Sequence, residues 1–281
     1  MISLKAWAKI NLGLKILNKR DDGFHNIETT LTTTNLADYI RIQEIESDII
    51  IDAKDLNIPT QENLCFRAAD LFRKKYGIEK GVKINLIKNI PIGGGLGGGS
   101  SDAACVLKGM RELFALNISD EELMELSKEI GSDIPFFIKG GAAYVRGRGD
   151  ELKFFKLPRM SLIIYYPGYS ISTTWAYKAY DEFKSIPQPE PKIIIEKGDK
   201  KKKKKRGKKG FTLENDFEKV VFKNHPDLLD VKTNLLVSGS LIVSLSGSGS
   251  CLFTLVDENI RKNVVNYLVG IGAQFFEVST I

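Results

Sequence analysis

The residues of this chain best suited to chemistry lie in a glycine-rich stretch at positions 91–104, Pro-Ile-Gly-Gly-Gly-Leu-Gly-Gly-Gly-Ser-Ser-Asp-Ala-Ala. Six glycines within seven residues let the backbone adopt positive φ angles and lie against a bulky ligand, although they weaken folding. The stretch opens into helix-forming residues at Ser100, where free amides and the positive end of a helix dipole favour an anion. The hydroxyls of Ser100 and Ser101 can bind phosphate or Mg²⁺. We therefore predict a phosphate site here, rather than a loop that is glycine-rich only for tight packing.

Two widespread nucleotide-binding motifs fit this stretch poorly. Gly93, Gly95 and Gly98 satisfy G-x-G-x-x-G between a predicted strand and a predicted helix. A dinucleotide-binding unit, however, needs a second strand that ends in Asp or Glu about 20 residues further on, and residues 119–130 have the pattern of an amphipathic helix. A Walker A loop needs a Lys before its Ser or Thr, and none precedes Ser100. The stretch is therefore a phosphate loop of another kind.

Lys9 and Asp133 are two further residues that can take part in phosphate chemistry. An apolar–polar alternation over residues 2–16 predicts a long strand, and its polar face carries Lys9 beside Asn11. Asp133 precedes an apolar run, 134–137, which should keep its carboxylate partly desolvated and suit it to act as a base. Taken alone, such a Lys is usually a solvated strand residue and such an Asp usually caps a turn. The sequence does not show whether the two meet.

The elements that must position these residues are strands and helices in mixed order. The helix that begins at Ser119 has a capping box with Glu122 and is expected to end at Gly131. Two lobes are expected to meet near residues 153–160 in an α+β protein. Further strands are predicted at 27–33, 38–45, 48–53, 82–86, 161–166, 241–245, up to 256 and near 275, and further helices at 63–76, 100–114, 173–183, 215–224 and 259–268.

Composition indicates an ordinary globular protein. The chain has 281 residues, of which 43% are hydrophobic and 27% charged, enough to bury a large core. We see neither a secretory leader nor an apolar run of membrane-spanning length, so we expect a cytoplasmic protein without membrane contact. Cys65, Cys105 and Cys251 lack the spacing of a disulfide framework or a zinc site and are expected to be reduced and buried. We predict no metal centre built from protein side chains.

The net charge of +6 is concentrated in one segment. Residues 197–209 hold ten cations and one Asp, a local charge of +9 that leaves −3 for the other residues. A block of like charge repels itself and is normally a solvated, mobile loop. The run also lacks the interleaved aromatic residues that stack on bases. A nucleic-acid partner is therefore the less favoured interpretation, although it stays open.

The glycine-rich stretch resembles the ATP-binding loop of the GHMP kinases, the family of galactokinase, homoserine kinase and mevalonate kinase. Five other segments are similar to successive motifs of one branch of that family, and the six motifs together occur in the family's order over nearly the whole chain. As a set they are highly specific. The five segments are Ala8-Lys9-Ile10-Asn11-Leu12, Asp22-Gly23-Phe24-His25, Gln61-Glu62-Asn63-Leu64, Gly131-Ser132-Asp133-Ile134-Pro135-Phe136-Phe137 and Leu245-Ser246-Gly247-Ser248-Gly249-Ser250.

The resemblance implies an α+β, two-lobe GHMP kinase fold with mixed and antiparallel sheets, helices, and an active site in the cleft between the lobes. Residues 1–155 would form the N-terminal ATP-binding lobe. Residues 156–281 would form the C-terminal lobe, with the basic loop at 197–209 inserted in it. This loop has no counterpart that we recognise in the family.

The resemblance also implies an ATP-dependent small-molecule kinase. The branch phosphorylates the 2-hydroxyl of a cytidine diphosphate sugar alcohol in non-mevalonate isoprenoid precursor biosynthesis. Asp133 would be the catalytic base, and Lys9 would lower the pKa of the attacking hydroxyl and hold Asp133 ionised. Mg²⁺ would bridge two phosphates of ATP. The residues that the resemblance assigns to ATP are Asn63 and Lys88 on the nucleoside side, and Pro91, Gly93, Gly94, Gly95, Leu96, Gly97, Gly98, Gly99, Ser100 and Ser101.

Substrate choice would depend on a cytosine site. By resemblance, Phe24 and Tyr177 sandwich the base and His25 reads its hydrogen-bonding edge. Phe24 replaces the usual Tyr of this motif, which keeps the π face for stacking but loses the hydrogen bond of the phenol. The other residues assigned to the substrate are Asn11, Asp133, Gly247 and Ser248.

Two alternatives stay open at this point. One is a GHMP kinase for another small alcohol of the homoserine or mevalonate type. The other is a nucleotide-binding protein without catalysis, or one that contacts RNA through its Lys-rich run, although the presence of both Lys9 and Asp133 argues against lost activity. The sequence makes no prediction of the oligomeric state.

Overall fold

A computed structural model describes residues 1–53, 58–186 and 213–281. The basic run at 197–209, predicted to be a mobile loop, lies outside the described residues. The first half of the chain forms strands β1 (Ile2–Lys19), β2 (His25–Ile45), β3 (Ile49–Asp52), β4 (Gly81–Ile87), β5 (Ala142–Arg146) and β6 (Glu151–Phe155), and helices α1 (Leu64–Tyr76), α2 (Gly98–Leu113), α3 (Asp120–Ser127) and α4 (Ile134–Lys139), with a 3₁₀ turn at Thr60–Glu62.

The six strands of the first half form one mixed sheet. Its order is β3-β4-β2-β5-β6, and β1 pairs with β2 in an antiparallel hairpin. The β3–β4 pair is parallel, while β2 is antiparallel to β4 and to β5. Helices α1 to α4 bury their apolar side chains against this sheet, with Phe72, Met110 and Phe136 fully buried between them.

The second half forms a four-stranded antiparallel sheet in the order β10-β7-β9-β8. The α+β class with mixed and antiparallel sheets, predicted from sequence, is therefore confirmed. The elements of the second half are β7 (Ser161–Tyr166), α5 (Thr173–Ser185), α6 (Glu218–Asn224), α7 (Pro226–Val237), β8 (Val243–Leu245), β9 (Leu252–Leu255), α8 (Glu258–Gly270) and β10 (Gln274–Ser279).

Strand β1 connects the two halves through the core. Ala6 belongs to the cluster of the first sheet and its helices, whereas Leu14 and Ile16 belong to the cluster of the second sheet and α5 to α8. Between them, Ile10 packs in a third cluster that includes residues of the glycine loop and of the second sheet, such as Phe253. The strand thus positions Lys9 and Asn11 where both halves meet.

The predicted elements agree with the structure except in four places. The strands predicted at 27–33 and 38–45 form the single strand β2, because β1 pairs with both parts across a register shift between Trp7 and Lys9. The capping box of Ser119 and Glu122 is present, but α3 ends at Ser127, ahead of the predicted stop at Gly131. Helix α6 begins at Glu218 and not at residue 215, since Asn215 forms a bridge to Leu14 of β1. The pattern analysis missed α4, α7, β5 and β6.

The cysteines and the lobe boundary can be placed on this fold. Cys65, Cys105 and Cys251 are free and buried, as predicted. We propose the boundary between lobes 1–155 and 156–281 at the connection that follows β6 and precedes β7. No helix in the described part of the chain is both long enough and apolar enough to cross a membrane.

Candidate active site

The glycine loop lies between β4 and α2 and is held by donors from both halves of the chain. The amide of Lys9 donates to the carbonyl of Leu96 at 2.9 Å, and the hydroxyl of Ser246 donates to the carbonyl of Gly95 at 2.9 Å. A Cβ on Gly95 would lie 2.0 Å from the carbonyl oxygen of Ser246, so only glycine allows this approach. These bonds use the carbonyls of the loop and leave its amides for a ligand.

Lys9 is buried, with 4% of its surface exposed, and reaches from β1 to the loop. Its ammonium donates to the carbonyl of Gly95 at 2.7 Å and to Oδ1 of Asn11. Asn11 in turn donates to the hydroxyl of Thr29 on β2 at 2.9 Å. Burial lowers the pKa of Lys9, and the negative charge of Asp133 opposes this shift. Lys9 is therefore not the solvated strand residue that its sequence context alone would favour.

Asp133 lies at the N-cap position of α4 without capping it. Its side chain accepts no bond from the backbone amides of the helix, and Pro135 occupies one of the first two helical positions, where no amide is needed. The carboxylate lines the cleft and makes no direct ion pair with Lys9, although it is close enough to affect the pKa of that residue. It is thus available to a ligand, which argues against the turn-capping interpretation.

At the end of the cleft that the sequence assigned to the nucleoside of ATP, Lys88 forms a largely buried cluster with two carboxylates. Its ammonium pairs with Asp102 at 2.6 Å and with Asp38. Burial raises the pKa of Asp102, although the charge of Lys88 opposes this effect. Asn63 caps α1 by accepting from the amide of Cys65 at 2.9 Å. Lys88 and Asn63 therefore both stabilise the protein itself at this end of the cleft.

At the other end, the three predicted cytosine residues lie together. The rings of His25 and Tyr177 stack with a centroid distance of 5.0 Å and an interplanar angle of 12°. Phe24 is 54% exposed, and the guanidinium of Arg148 lies over its ring at 4.7 Å. Burial, together with the charge of Asp133, raises the pKa of Tyr177 to about 12, so this phenol stays protonated. The aromatic site and Asp133 are therefore close enough to interact.

One cleft of about 780 Å³ connects these groups. Nearly every residue that the sequence assigned to ATP or substrate lines it, including Gly247 and Ser248 from the second half. Ser101 is the exception, because it is buried one position further into α2 and does not line the cleft. The hydroxyl of Ser100, which does line it, is the better placed of the two for a phosphate.

Sequence reasoning missed three residues that line the cleft and the buried Asp38, which does not line it but contacts Lys88. Asp102 was part of the quoted motif but received no role, and Asp38, Arg148 and Asp181 were not singled out. Asp181 contacts His25 across 156 residues of chain, and Asp38 contacts Lys88 across 50. The one local signal was the four-residue spacing of Tyr177 and Asp181 in α5, which puts both side chains on the same face of the helix.

The fold and the cleft define a two-sheet α+β protein with a glycine loop, a buried Lys and a carboxylate that lines the cleft, an arrangement suited to a small-molecule phosphotransferase. Two family models match the chain, the N-terminal domain of GHMP kinases at residues 63–141 and their C-terminal domain at residues 204–271. This chain belongs to the GHMP kinase family. It is therefore an ATP-dependent small-molecule kinase.

Similar proteins carry one recurring name. The chain is 41% identical to a 4-diphosphocytidyl-2-C-methyl-D-erythritol kinase of Caldicellulosiruptor bescii, over 90% of this chain and 88% of that protein. It is also 41% identical to the protein of the same name in Chlorobium phaeobacteroides, over 91% of this chain and 87% of the other. A crystal structure of 4-(cytidine 5'-diphospho)-2C-methyl-D-erythritol kinase superimposes with a TM-score of 0.79 and 31% identity, over 99% of both chains.

More distant structures share only the fold. The Methanococcus jannaschii mevalonate kinase covers 100% of this chain with a TM-score of 0.68, but at 18% identity. A homoserine kinase of Cytophaga hutchinsonii gives a TM-score of 0.63, also at 18% identity. These two similarities concern the architecture and do not indicate the substrate.

Proposed function

We propose that this kinase transfers the γ-phosphoryl group of ATP to the 2-hydroxyl of 4-(cytidine 5'-diphospho)-2-C-methyl-D-erythritol. The observation that carries the proposal is the continuous cleft. It has a glycine loop at one side, the rings of Phe24, His25 and Tyr177 at the other, and Lys9 with Asp133 facing the same space. The names of the relatives that match over most of the chain support it further.

Different residues of the cleft have different roles in phosphoryl transfer. This reaction needs positioning and stabilisation of spreading negative charge more than covalent chemistry. Asp133, whose carboxylate does not cap α4 and forms no ion pair with Lys9, orients the attacking hydroxyl and accepts its proton. Lys9 is held by Asn11 and Gly95 and supplies a fixed positive charge beside the loop. The amides of residues 93–99 bind the phosphates of ATP.

Mg²⁺ fits this donor set as a companion of ATP. The described residues contain no group of three or more His, Cys, Asp or Glu able to hold a metal ion. Mg²⁺ commonly takes only one or two protein oxygens and otherwise binds phosphates and water. Ser100 lines the cleft beside the glycine loop and would supply such an oxygen. When bound, the ion would neutralise charge on the transferring phosphates.

A coupled ATP-turnover assay tests the proposal. We expect ADP release to depend on the cytidine diphosphate substrate and to stay near background with mevalonate or homoserine. Comparable turnover with either of these alcohols would instead support a kinase of that type. Tight ATP binding without turnover on any of the three would support a binding protein without catalysis.

The setting of the enzyme is a separate proposal. Three cysteines that are free and buried suit a reducing compartment, so we propose the cytoplasm.

A further inference from the structure

A hydrogen-bonded triad lies at the end of the cleft where Phe24 and Tyr177 are found. His25 is buried, and its Nε2 lies 2.7 Å from Oδ1 of Asp181. The other carboxylate oxygen of Asp181 accepts from the ammonium of Lys19 at 2.6 Å. Lys19 ends β1 and His25 begins β2, where the two residues pair across the hairpin. Helix α5 supplies Asp181, so the docking of α5 on the hairpin completes the triad.

The triad fixes the direction of its hydrogen bonds. Burial alone would raise the pKa of Asp181, but the bonds from Lys19 and His25 outweigh it and lower that pKa. Asp181 is therefore ionised and can only accept, which places a proton on Nε2 of His25. In the neutral imidazole the second nitrogen, Nδ1, is then an acceptor. Among the described residues nothing donates to Nδ1, and His25 lines the cleft.

A hydrogen-bond acceptor at Nδ1 of His25 distinguishes cytosine from uracil, two pyrimidines of nearly equal shape. Cytosine presents an exocyclic amino group, a donor, where uracil presents a carbonyl oxygen, an acceptor. A stacking site cannot tell them apart, because both have the same π face. A site that offers an acceptor satisfies the amino group and leaves the carbonyl facing another acceptor, which a buried site penalises.

We propose that Asp181 is the positioning residue that makes the cleft select cytosine over uracil, because it holds the proton of His25 on Nε2 and leaves Nδ1 to accept from the amino group of the base. Lys19 assists by fixing the carboxylate. The inference deepens the proposed function and rests on it, since it concerns the base of the cytidine diphosphate substrate.

Asp181→Asn tests the inference by steady-state kinetics on the cytidine and uridine forms of the substrate. An amide can turn either its oxygen or its NH₂ toward His25, so it no longer dictates the tautomer. We expect the ratio of kcat/KM between cytidine and uridine substrates to fall about tenfold or more. The loss should appear mainly in KM for the cytidine substrate, with kcat within about threefold of the wild type.

Glu182→Gln is the matched control, since it makes the same change of charge one residue along α5 at an exposed position. It should keep the wild-type ratio. A variant Asp181→Glu, which restores a carboxylate at this position of α5, should recover part of the selectivity that Asp181→Asn loses.

Nitrogen NMR of the wild-type protein gives a second test that needs no variant of Asp181. The chain has two histidines, so His225→Gln assigns the signals of His25. We expect the proton of the neutral ring on Nε2 and an unprotonated Nδ1 whose signal shifts when cytidine diphosphate is added. A ring with its proton on Nδ1 would overturn the inference.

The outcomes distinguish a failure of the role assigned to Asp181 from a failure of the proposed kinase activity. If the wild type phosphorylates the cytidine substrate selectively and Asp181→Asn is equally selective, the inference fails and the proposed function stands. If the wild type turns over neither pyrimidine substrate, the proposed function fails and the inference falls with it. Loss of selectivity in Asp181→Asn, with Glu182→Gln unchanged, supports both.

Discussion

Lys9 carries its amino group into the protein interior, where no carboxylate of the described residues is in direct contact with it. Its partners are a side-chain amide and a backbone carbonyl, which satisfy its donors but do not neutralise its charge. Burial lowers its pKa, and Asp133 is the acidic residue that opposes the shift. An uncompensated buried cation is expensive for folding. A charged ligand is the physical reason to keep it, since the phosphates of ATP and the attacking oxygen would be stabilised by it.

Asp133→Asn separates the chemical role of this carboxylate from binding. The change is nearly isosteric, but an amide is a far poorer base, so kcat should fall by about 10²- to 10⁴-fold while ATP and substrate still bind. With the carboxylate gone, the pKa of Lys9 should decrease further, because Asp133 opposes the effect of burial. Steady-state kinetics measures the fall in kcat, and calorimetric titration measures the binding of ATP and of the substrate.

Asp70→Asn is the control for this substitution. Asp70 pairs with Lys74 on the surface of α1. Because such an exposed ion pair contributes little, the activity of Asp70→Asn should fall by less than about twofold. If Asp133→Asn retained most of its kcat, the carboxylate would not be the base, and the family assignment would be unaffected.

At the scale of elements, the glycine loop and the start of α2, where we propose that ATP binds, also pack closely against the rest of the protein. A Cβ on Gly97 would lie 2.7 Å from the ring of Phe137 and 3.1 Å from Cγ of Lys9, and its φ is +70°. A substitution there would disturb the protein as well as the ligand. Gly99 differs, because a Cβ at that position would meet only Leu64, at an ordinary 3.5 Å, and its backbone is exposed to the cleft.

Gly99→Val should therefore weaken ATP binding without unfolding the protein. The branched side chain would block approach of a phosphate to the first turn of α2, and we expect the dissociation constant for ATP to rise about tenfold or more. Binding of cytidine diphosphate should change little. Gly270→Val, at the exposed end of α8 with open space around its Cβ, is the matched control. Unchanged ATP affinity in Gly99→Val would place the phosphates elsewhere.

Periodicity predicted most of these elements, and the exceptions have physical reasons. The alternation of β1 and the capping box of α3 are local patterns, so they could be found from sequence. Helix α4 has only six residues, too few for a helical period to emerge. The break predicted within β2 near residues 34–37 is a register shift, which β1 bridges by pairing on both sides.

At the scale of the whole molecule, β1 packs into the cores of both halves. Its side chains belong to all three hydrophobic clusters, and its backbone pairs with β2 and also forms hydrogen bonds with Glu214 and Asp216 of the second half. The glycine loop adds bonds to Ile171 and Cys251. Neither half can bury its apolar surface fully without the other.

We therefore expect urea unfolding to be a single transition. Trp7 lies in β1 of the first half and Trp175 lies in α5 of the second, and the chain has no other tryptophan. The variants Trp7→Phe and Trp175→Phe each leave one fluorescent reporter. After correction for the stability change of each variant by circular dichroism, the fluorescence and dichroism midpoints should coincide in both proteins. Separate midpoints for the two reporters would show that the halves unfold independently.

The sequence by itself determined the local chemistry of this protein. The glycine loop, the alternating strand with Lys9 and Asn11, and the run after Asp133 could be found within short windows, because glycine freedom, strand period and desolvation act over a few residues. Tertiary structure decided which of these groups share a cleft. Lys9 lies near Asp133 because β1 packs into both halves, and His25 contacts Asp181 because α5 docks on the hairpin of β1. Such contacts depend on how apolar faces pack across long stretches of chain, which no local period encodes.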